Sequence, residues 1–262
     1  MSNRKDCTEY NSNDIGPLGT KIQTIIVSSD DFIVYIDDLG DIYYYTTSAY
    51  KGFIKEFGSV QSRITHYESI ANMQFNKAEA YQFKIGLAEA YARAIDDRNF
   101  NYANDILALT VKRMEANGSE KLKHSYILAA FRSTLFIILF IVAMIIFKCS
   151  ILSVIDQDNY DIIEAALFGG VGAFIFATLR LNQYPAEISI LEKYHKVDGR
   201  MRIAYGIMSG LVVAIAFKAK VAFSFLSKDD EIKNFGIIFL GILSGASDLI
   251  IPNLIKHIEK KV

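Results

Sequence analysis

Four almost uninterrupted apolar stretches, residues 133–155, 162–179, 203–226 and 235–255, occupy the second half of the chain and are separated by short polar connections. A hydrocarbon core of about 30 Å needs about 20 apolar residues in helical form. In lipid the backbone must satisfy its own polar groups, which a helix does within one segment. The pattern therefore predicts a four-helix transmembrane bundle over 131–256, followed by a short tail, 257–262. Upstream the periodicity changes. Residues 21–45 are rich in β-branched and aromatic side chains, and the runs 32–36 and 42–45 flank the turn signal Asp37-Asp38-Leu39-Gly40-Asp41, predicting a β-hairpin with 22–27 as a third strand. From about Ser48 the spacing becomes helical. Residues 76–97, with Ala80, Phe83, Leu87, Ala90, Tyr91 and Ala94 at intervals of three and four, and 102–115, with Ile106, Leu109 and Met114, read as an antiparallel helical pair joined at Arg98-Asn99-Phe100. The second helix leads toward the first span through Asn117-Gly118. The first 20 residues are polar, lack the apolar core of a signal peptide, and are expected to form a mobile tail. The expected fold class is thus mainly α: the bundle preceded by a small cytoplasmic module, 21–130, holding a β-hairpin and a helical hairpin.

Composition sharpens this reading. With 52% hydrophobic residues, 18 Phe and 15 Tyr in 262 residues, the 22% charged residues must crowd outside the apolar runs. That leaves room for one soluble module of about 130 residues and no large catalytic domain. A net charge of -1 gives no footprint for direct nucleic-acid binding. The two cysteines, Cys7 in the polar tail and Cys149 in an apolar run, are not placed to form a disulfide or a zinc site. Charge also orients the spans. Lys112, Arg113, Lys121, Lys123 and Arg132 precede the first; Arg180, Lys193, Lys196, Arg200 and Arg202 surround the second connection; Lys256, Lys260 and Lys261 close the chain. The other connections, 156–161 and 227–234, are acidic or nearly so. By the positive-inside rule both termini are expected in the cytoplasm of a multi-pass inner-membrane protein.

Two motifs in the soluble part invite functional readings. Val34-Tyr35-Ile36-Asp37-Asp38-Leu39 has the form of the paired-aspartate box of reverse transcriptases, in which adjacent carboxylates hold catalytic metals. A polymerase needs a third carboxylate on another strand and far more chain, so a turn is the better reading. The helical pair resembles one tetratricopeptide unit at Leu87, Ala88 and Tyr91, but no second copy follows.

Within the apolar runs small residues recur every four positions: Ala165, Gly169, Ala173 and Ala177, then Gly206, Gly210 and Ala214, then Gly241 and Gly245. Such faces let helices approach closely where lipid supplies no hydrophobic drive, either within one chain or between protomers. Charges are the other signal. Lys148, Lys218 and Lys220 fall toward the outer ends of their spans, within roughly 12 Å of the boundary at 1.5 Å per residue, and either snorkel or meet Glu164 in a polar outer vestibule. Asp248 is too short to snorkel and needs a partner, for which Arg180 and Arg202 are candidates beside Ser244, Ser247 and Asn253. It serves either a structural ion pair or permeation. An intramembrane aspartyl protease would need a second aspartate in the spans, and a rhomboid-like pair would need a histidine there. The expectation is a protein that is not an enzyme and uses no cofactor or metal.

The run Gly169-Gly170-Val171-Gly172-Ala173 leading to Arg180, Arg200-Met201-Arg202-Ile203 before Gly206-x-x-x-Gly210, and Phe239-Leu240-Gly241 with Ser247-Asp248 and Ile251-Pro252-Asn253-Leu254 resembles the membrane half of small bacterial four-span proteins found at antiviral defence loci, including transmembrane effectors encoded beside retrons. The similarity covers residues 160–256. Relatives often carry a Glu-Arg pair where this chain has Asp248-Leu249. The resemblance implies an abortive-infection effector, able to assemble as a homo-oligomer, that permeabilises or depolarises the inner membrane when released by a cytoplasmic protein partner such as a reverse transcriptase with its DNA product. The alternatives are a non-toxic channel subunit and a membrane tether for a cytoplasmic complex.

Overall fold

A computed structural model describes residues 6–48, 50, 55–96, 100–219 and 230–247. The chain is mainly helical with one small antiparallel sheet, and it divides into two units. One comprises the chain up to Glu120 together with Glu187–Leu191; the other comprises Lys121–Ala186 and the chain from Glu192 onward.

In the first unit β1 (Ile22–Ser28), β2 (Phe32–Asp37) and β3 (Ile42–Thr46) lie in the order β1-β2-β3. The register of β2 and β3 runs from Phe32↔Thr46 to Ile36↔Ile42, while β1 is irregular at two places opposite β2. The central strand is buried at every position because FIVYI leaves no polar face to give to water. Phe32, Val34 and Ile36 pack among Phe57, Val60 and Ile64 of α1 (Lys55–Gln74), Leu87, Tyr91 and Ile95 of α2 (Lys77–Asp96), and Leu107 of α3 (Phe100–Ile146). Ile33 and Tyr35 point the other way, against Cys7, Tyr10 and Ile22.

That second layer corrects the expectation of a mobile tail for residues 6–20. Cys7–Glu9 form a 3-10 turn, the Ser28 hydroxyl donates to the Cys7 carbonyl at 2.9 Å, and the Asn13 amide donates to the Ile22 carbonyl at 2.7 Å. Gly16 lies so close to Tyr35 that a Cβ there would come within 2.9 Å of the ring. The segment looks polar in sequence, yet a strand apolar on both faces requires a cover on both.

Helix α2 starts where the sequence pattern placed it, with Asn76 and Glu79 forming a reciprocal cap: the Glu79 amide donates to Asn76 Oδ1 at 2.9 Å and the Asn76 amide to Glu79 Oε2 at 3.3 Å. Of the expected helix-joining turn, residues 97–99 lie outside the described residues, and Phe100 is already the first residue of α3. Helix α3 differs most from expectation. It continues through Asn117-Gly118 for 47 residues, about 70 Å at 1.5 Å per residue. Gly118 does not break the helix; it makes room, since a Cβ there would lie 2.6 Å from Ile188 Cγ2 and 3.3 Å from Phe75. Ile188 belongs to the short segment Glu187–Leu191, whose Ile188 and Ile190 carbonyls accept from Gln74 Nε2 at 2.8 and 2.6 Å.

The second unit holds the remainder of α3, then α4 (Lys148–Leu152), α5 (Gln157–Leu179), α6 (Glu192–Lys218) and α7 (Asp230–Ala246). Three of the described helices, α3, α5 and α6, are long and apolar enough to cross a membrane. The predicted first span is interrupted: α3 ends at Ile146, Phe147 leaves helical geometry, and α4 restarts at Lys148. Helix α6 runs to Lys218, and residues 220–226 of the predicted third span lie outside the described residues. Helix α7 has 17 residues, about 26 Å, and the rest of the fourth apolar run, from residue 248, lies outside the described residues.

Candidate functional site

The apolar unit is organised around α5, whose small residues form two grooves. Toward α6, a Cβ on Gly169 would strike the Gly206 carbonyl oxygen, one on Gly206 would strike Ala173, and one on Gly210 would lie 2.7 Å from the Ala165 oxygen. Toward α7, a Cβ on Gly241 would strike the Ala165 carbonyl and one on Gly245 the Gly169 carbonyl. The every-fourth-residue pattern at Gly169, Ala173, Gly206, Gly210, Gly241 and Gly245 is thus met by backbone-to-backbone approach within one chain. The every-fourth-residue pattern does not include Gly172, which is as tightly placed against the Ile242 carbonyl, or Gly199, which faces the Tyr126 carbonyl. A polar bond also joins α6 to α7, Ser209 Oγ donating to the Ser244 carbonyl at 2.9 Å, while Ser244 Oγ donates within α7 to the Gly241 carbonyl at 2.8 Å.

The charged residues fall at the two ends of the helices. At one end Lys218, the last residue of α6, donates to Asp158 and, at 3.0 Å, to Asp161, both in the opening turns of α5; Gln157 Nε2 donates to Asp161 at 2.7 Å. The arrangement suits both helix dipoles, with carboxylates at an N-terminus and an ammonium at a C-terminus. Glu164 was the expected partner of Lys218, but the α5 helix starts early enough to bring Asp158 and Asp161 into reach first. Glu164 instead feels the charge of Lys148, whose ammonium lies 5.3 Å from the Tyr160 ring centroid. Lys220 lies outside the described residues, as does Asp248.

At the other end Arg180 and Arg202 converge on one aromatic ring, their guanidinium carbons 4.3 and 4.6 Å from the Phe176 centroid. A cavity of about 230 Å³ opens beside them, lined by Tyr126, Gln183 and Tyr184 as well. Tyr184 stacks on Tyr126 with ring centroids 4.1 Å apart, donates to Asp198 Oδ2 at 2.9 Å and meets His195 Nδ1 at 2.8 Å. Burial, and then the bond to Asp198, push its hydroxyl above the ordinary tyrosine value.

The first unit has a second polar centre that sequence reasoning missed. Lys84, 3% exposed, donates to the Gly40 carbonyl and to Asp41 Oδ1 at 3.2 Å, and lies 3.8 Å from Glu68 Oε1. Burial pushes the Glu68 carboxyl above its usual range, opposed by the Ile42 amide and by Lys84. The paired-aspartate motif is part of this turn. Asp37 Oδ1 accepts the amides of Leu39 and Asp41 at 3.0 and 2.8 Å, Gly40 takes a φ of 87°, and Asp38 faces solvent. A cavity of about 500 Å³ beside Lys84 is lined by Gln23, Asn72, Lys77, Tyr81 and Gln82.

No family model, no curated protein and no solved structure matches this chain.

Proposed function

We propose that the chain is an inner-membrane effector: a four-helix bundle in lipid, both termini cytoplasmic, that dissipates the membrane potential when its cytoplasmic unit receives a trigger or loses an inhibitory partner. The observation that carries the membrane reading is an apolar outer surface. Phe136, Leu139, Ile146, Met208, Phe235 and Phe239 point outward from the second unit, while inside it glycine and alanine bring the helices together and Ile137, Ile203, Val213 and Phe217 are buried. Water would penalise that arrangement and hydrocarbon would not. The defence role is supported by the sequence resemblance, and the 500 Å³ cavity beside Lys84 offers a polar receptor for a trigger. A membrane tether is favoured by a different observation: among the described residues the glycines bring α6 and α7 into backbone contact with α5, so conduction requires protomers to assemble or helices to part.

Controlled expression without any partner should lower the potential reported by a voltage-sensitive dye and stop growth. Wild-type protein that accumulates by immunoblot yet leaves both untouched, even with the trigger supplied, would move the assignment to the tether. Orientation has its own test. In a background lacking Cys7 and Cys149, Asn159→Cys and Asp230→Cys should react with an impermeant thiol reagent in cells without an outer-membrane barrier, whereas Tyr10→Cys should not. Labelling of Tyr10→Cys would reverse the topology.

A further inference from the structure

The cavity of about 500 Å³ beside Lys84 lies within the first unit and has the size of a small-ligand pocket. Its walls are the opening half of α2, Gln23 of β1, the turn Asp38-Leu39-Gly40 and Asn72 of α1. Lys84 marks one end. Its ammonium is engaged by the Gly40 carbonyl and by Asp41, so it holds the turn against α2 and is not offered to a ligand. Lys77 marks the other end, seven residues back along the helix, which is about 10 Å at 1.5 Å per residue. Between them the Tyr81 hydroxyl is tied to the Thr24 hydroxyl of β1, which fixes the wall. The side chains left to a ligand are of three kinds. Asp38, in the turn that Lys84 holds, presents a carboxylate; Lys77 presents an ammonium; Gln23, Asn72 and Gln82 present carboxamides, each both donor and acceptor. All five are exposed, and among the described residues none has a hydrogen-bond or ion-pair partner for its side chain.

That set narrows the ligand. A phosphate would meet the Asp38 carboxylate in the wall and the acidic partners of Lys84 behind it. Among the described residues no group of three Asp, Glu, His or Cys is placed to hold a metal ion. A neutral ligand leaves both charges unused. A ligand with an ammonium at one end, a carboxylate at the other and amide groups between them uses all five side chains, and an extended tripeptide has that composition over about 10 Å at roughly 3.5 Å per residue. We propose that the cavity binds a short free peptide by its termini and backbone, with the ammonium against Asp38, the carboxylate against Lys77 and the peptide groups against the carboxamides. This assignment rests on the reading given above, in which the cavity receives the trigger, and it names the chemistry of that trigger. None of the five contacts reads a side chain of the ligand, so the sequence of the peptide matters little.

The full chain in neutral detergent is titrated with trialanine, N-acetyl-trialanine and trialanine amide, and binding is read by saturation-transfer difference NMR. Wild type should bind trialanine about fivefold more tightly than either capped peptide, the upper range for one solvent-accessible charge pair. Asp38→Asn should lose the preference for the free amine and keep that for the free carboxylate; Lys77→Gln should do the reverse. Both side chains are exposed, so neither change removes a contact of the fold. If a variant nevertheless fails to elute as a single species, the wild-type ranking of the three peptides decides. No saturation transfer to millimolar trialanine, or preferences that both variants retain, overturns the proposal. So does equal or tighter binding of the capped peptides, the result expected if the cavity takes an internal segment of a partner protein. Because the readout is binding in detergent, the two readings fail separately. Binding that depends on the termini, in a protein that does not depolarise cells, removes the effector reading and leaves the site standing; depolarisation by a protein that ignores trialanine removes the site alone.

Discussion

Gly245→Leu should detach α7 from α5. A Cβ at this position would fall on the Gly169 carbonyl oxygen, 2.7 Å from the Gly169 carbonyl carbon and 3.0 Å from the Ala173 amide nitrogen. These are backbone atoms of a helix, so no rotamer change relieves the clash; α7 must move as a body. The cost is expected at the upper end of the roughly 1–3 kcal/mol usual for overpacking, and even Gly245→Ala should be felt. Gly58 provides the control, since a Cβ there would meet nothing within 4 Å. Gly58→Ala lies in α1 and should be neutral or stabilise by about 0.5–1 kcal/mol. Unfolding by increasing dodecyl sulfate in mixed micelles separates the two. An unchanged midpoint for Gly245→Leu would show that α7 does not pack on α5 through its glycines.

A second large effect is expected at the opposite kind of contact, where charge instead of shape joins the helices. Lys218→Met removes the ammonium that neutralises Asp161, which is 6% exposed and, among the described residues, would keep Gln157 as its side-chain donor. Breaking a buried pair from one side costs about 3–5 kcal/mol, and the lower end applies here because Asp158, the other partner, is 74% exposed. The companion change should behave differently. Lys218→Met/Asp161→Asn leaves no uncompensated buried charge, since Asp158 is exposed, and should recover most of the loss in the same titration. If single and double variants unfold together at the wild-type midpoint, the pair contributes nothing to the bundle.

The comparison of these two contacts shows what a sequence can carry. The glycine grooves were legible because close approach demands the same small residues at the same interval wherever it occurs, and Gly169, Gly206 and Gly241 declare it by type and spacing. The ion pair was not. Asp158 and Asp161 read as a polar connection, and only the early start of α5 at Gln157 turns them into the first turns of a helix beside the end of α6. The same contrast holds in the first unit. The hairpin was legible from β-branched runs around a turn, with strand limits close to those observed. Gly118 read as punctuation although it sits inside α3, because a glycine needed for space and a glycine needed for a turn are identical in sequence. Lys84 was invisible for a related reason: its partners Gly40, Asp41 and Glu68 come from distant parts of the chain.

The bonds from Gln74 to Ile188 and Ile190 carry a consequence for the birth of the protein. A ribosome finishes residues 1–120 well before it reaches Glu187, and the whole of α5 is made in between. Throughout that interval the Gln74 amide, 6% exposed in the finished fold, lacks two acceptors, and the hollow over Gly118 lacks the Ile188 side chain. Until that segment arrives the Gln74 amide is met by water, and the unit lacks the two bonds and the Ile188 packing of its finished form. The portion translated first is therefore completed late, and its maturation records that the first two apolar helices have already left the ribosome.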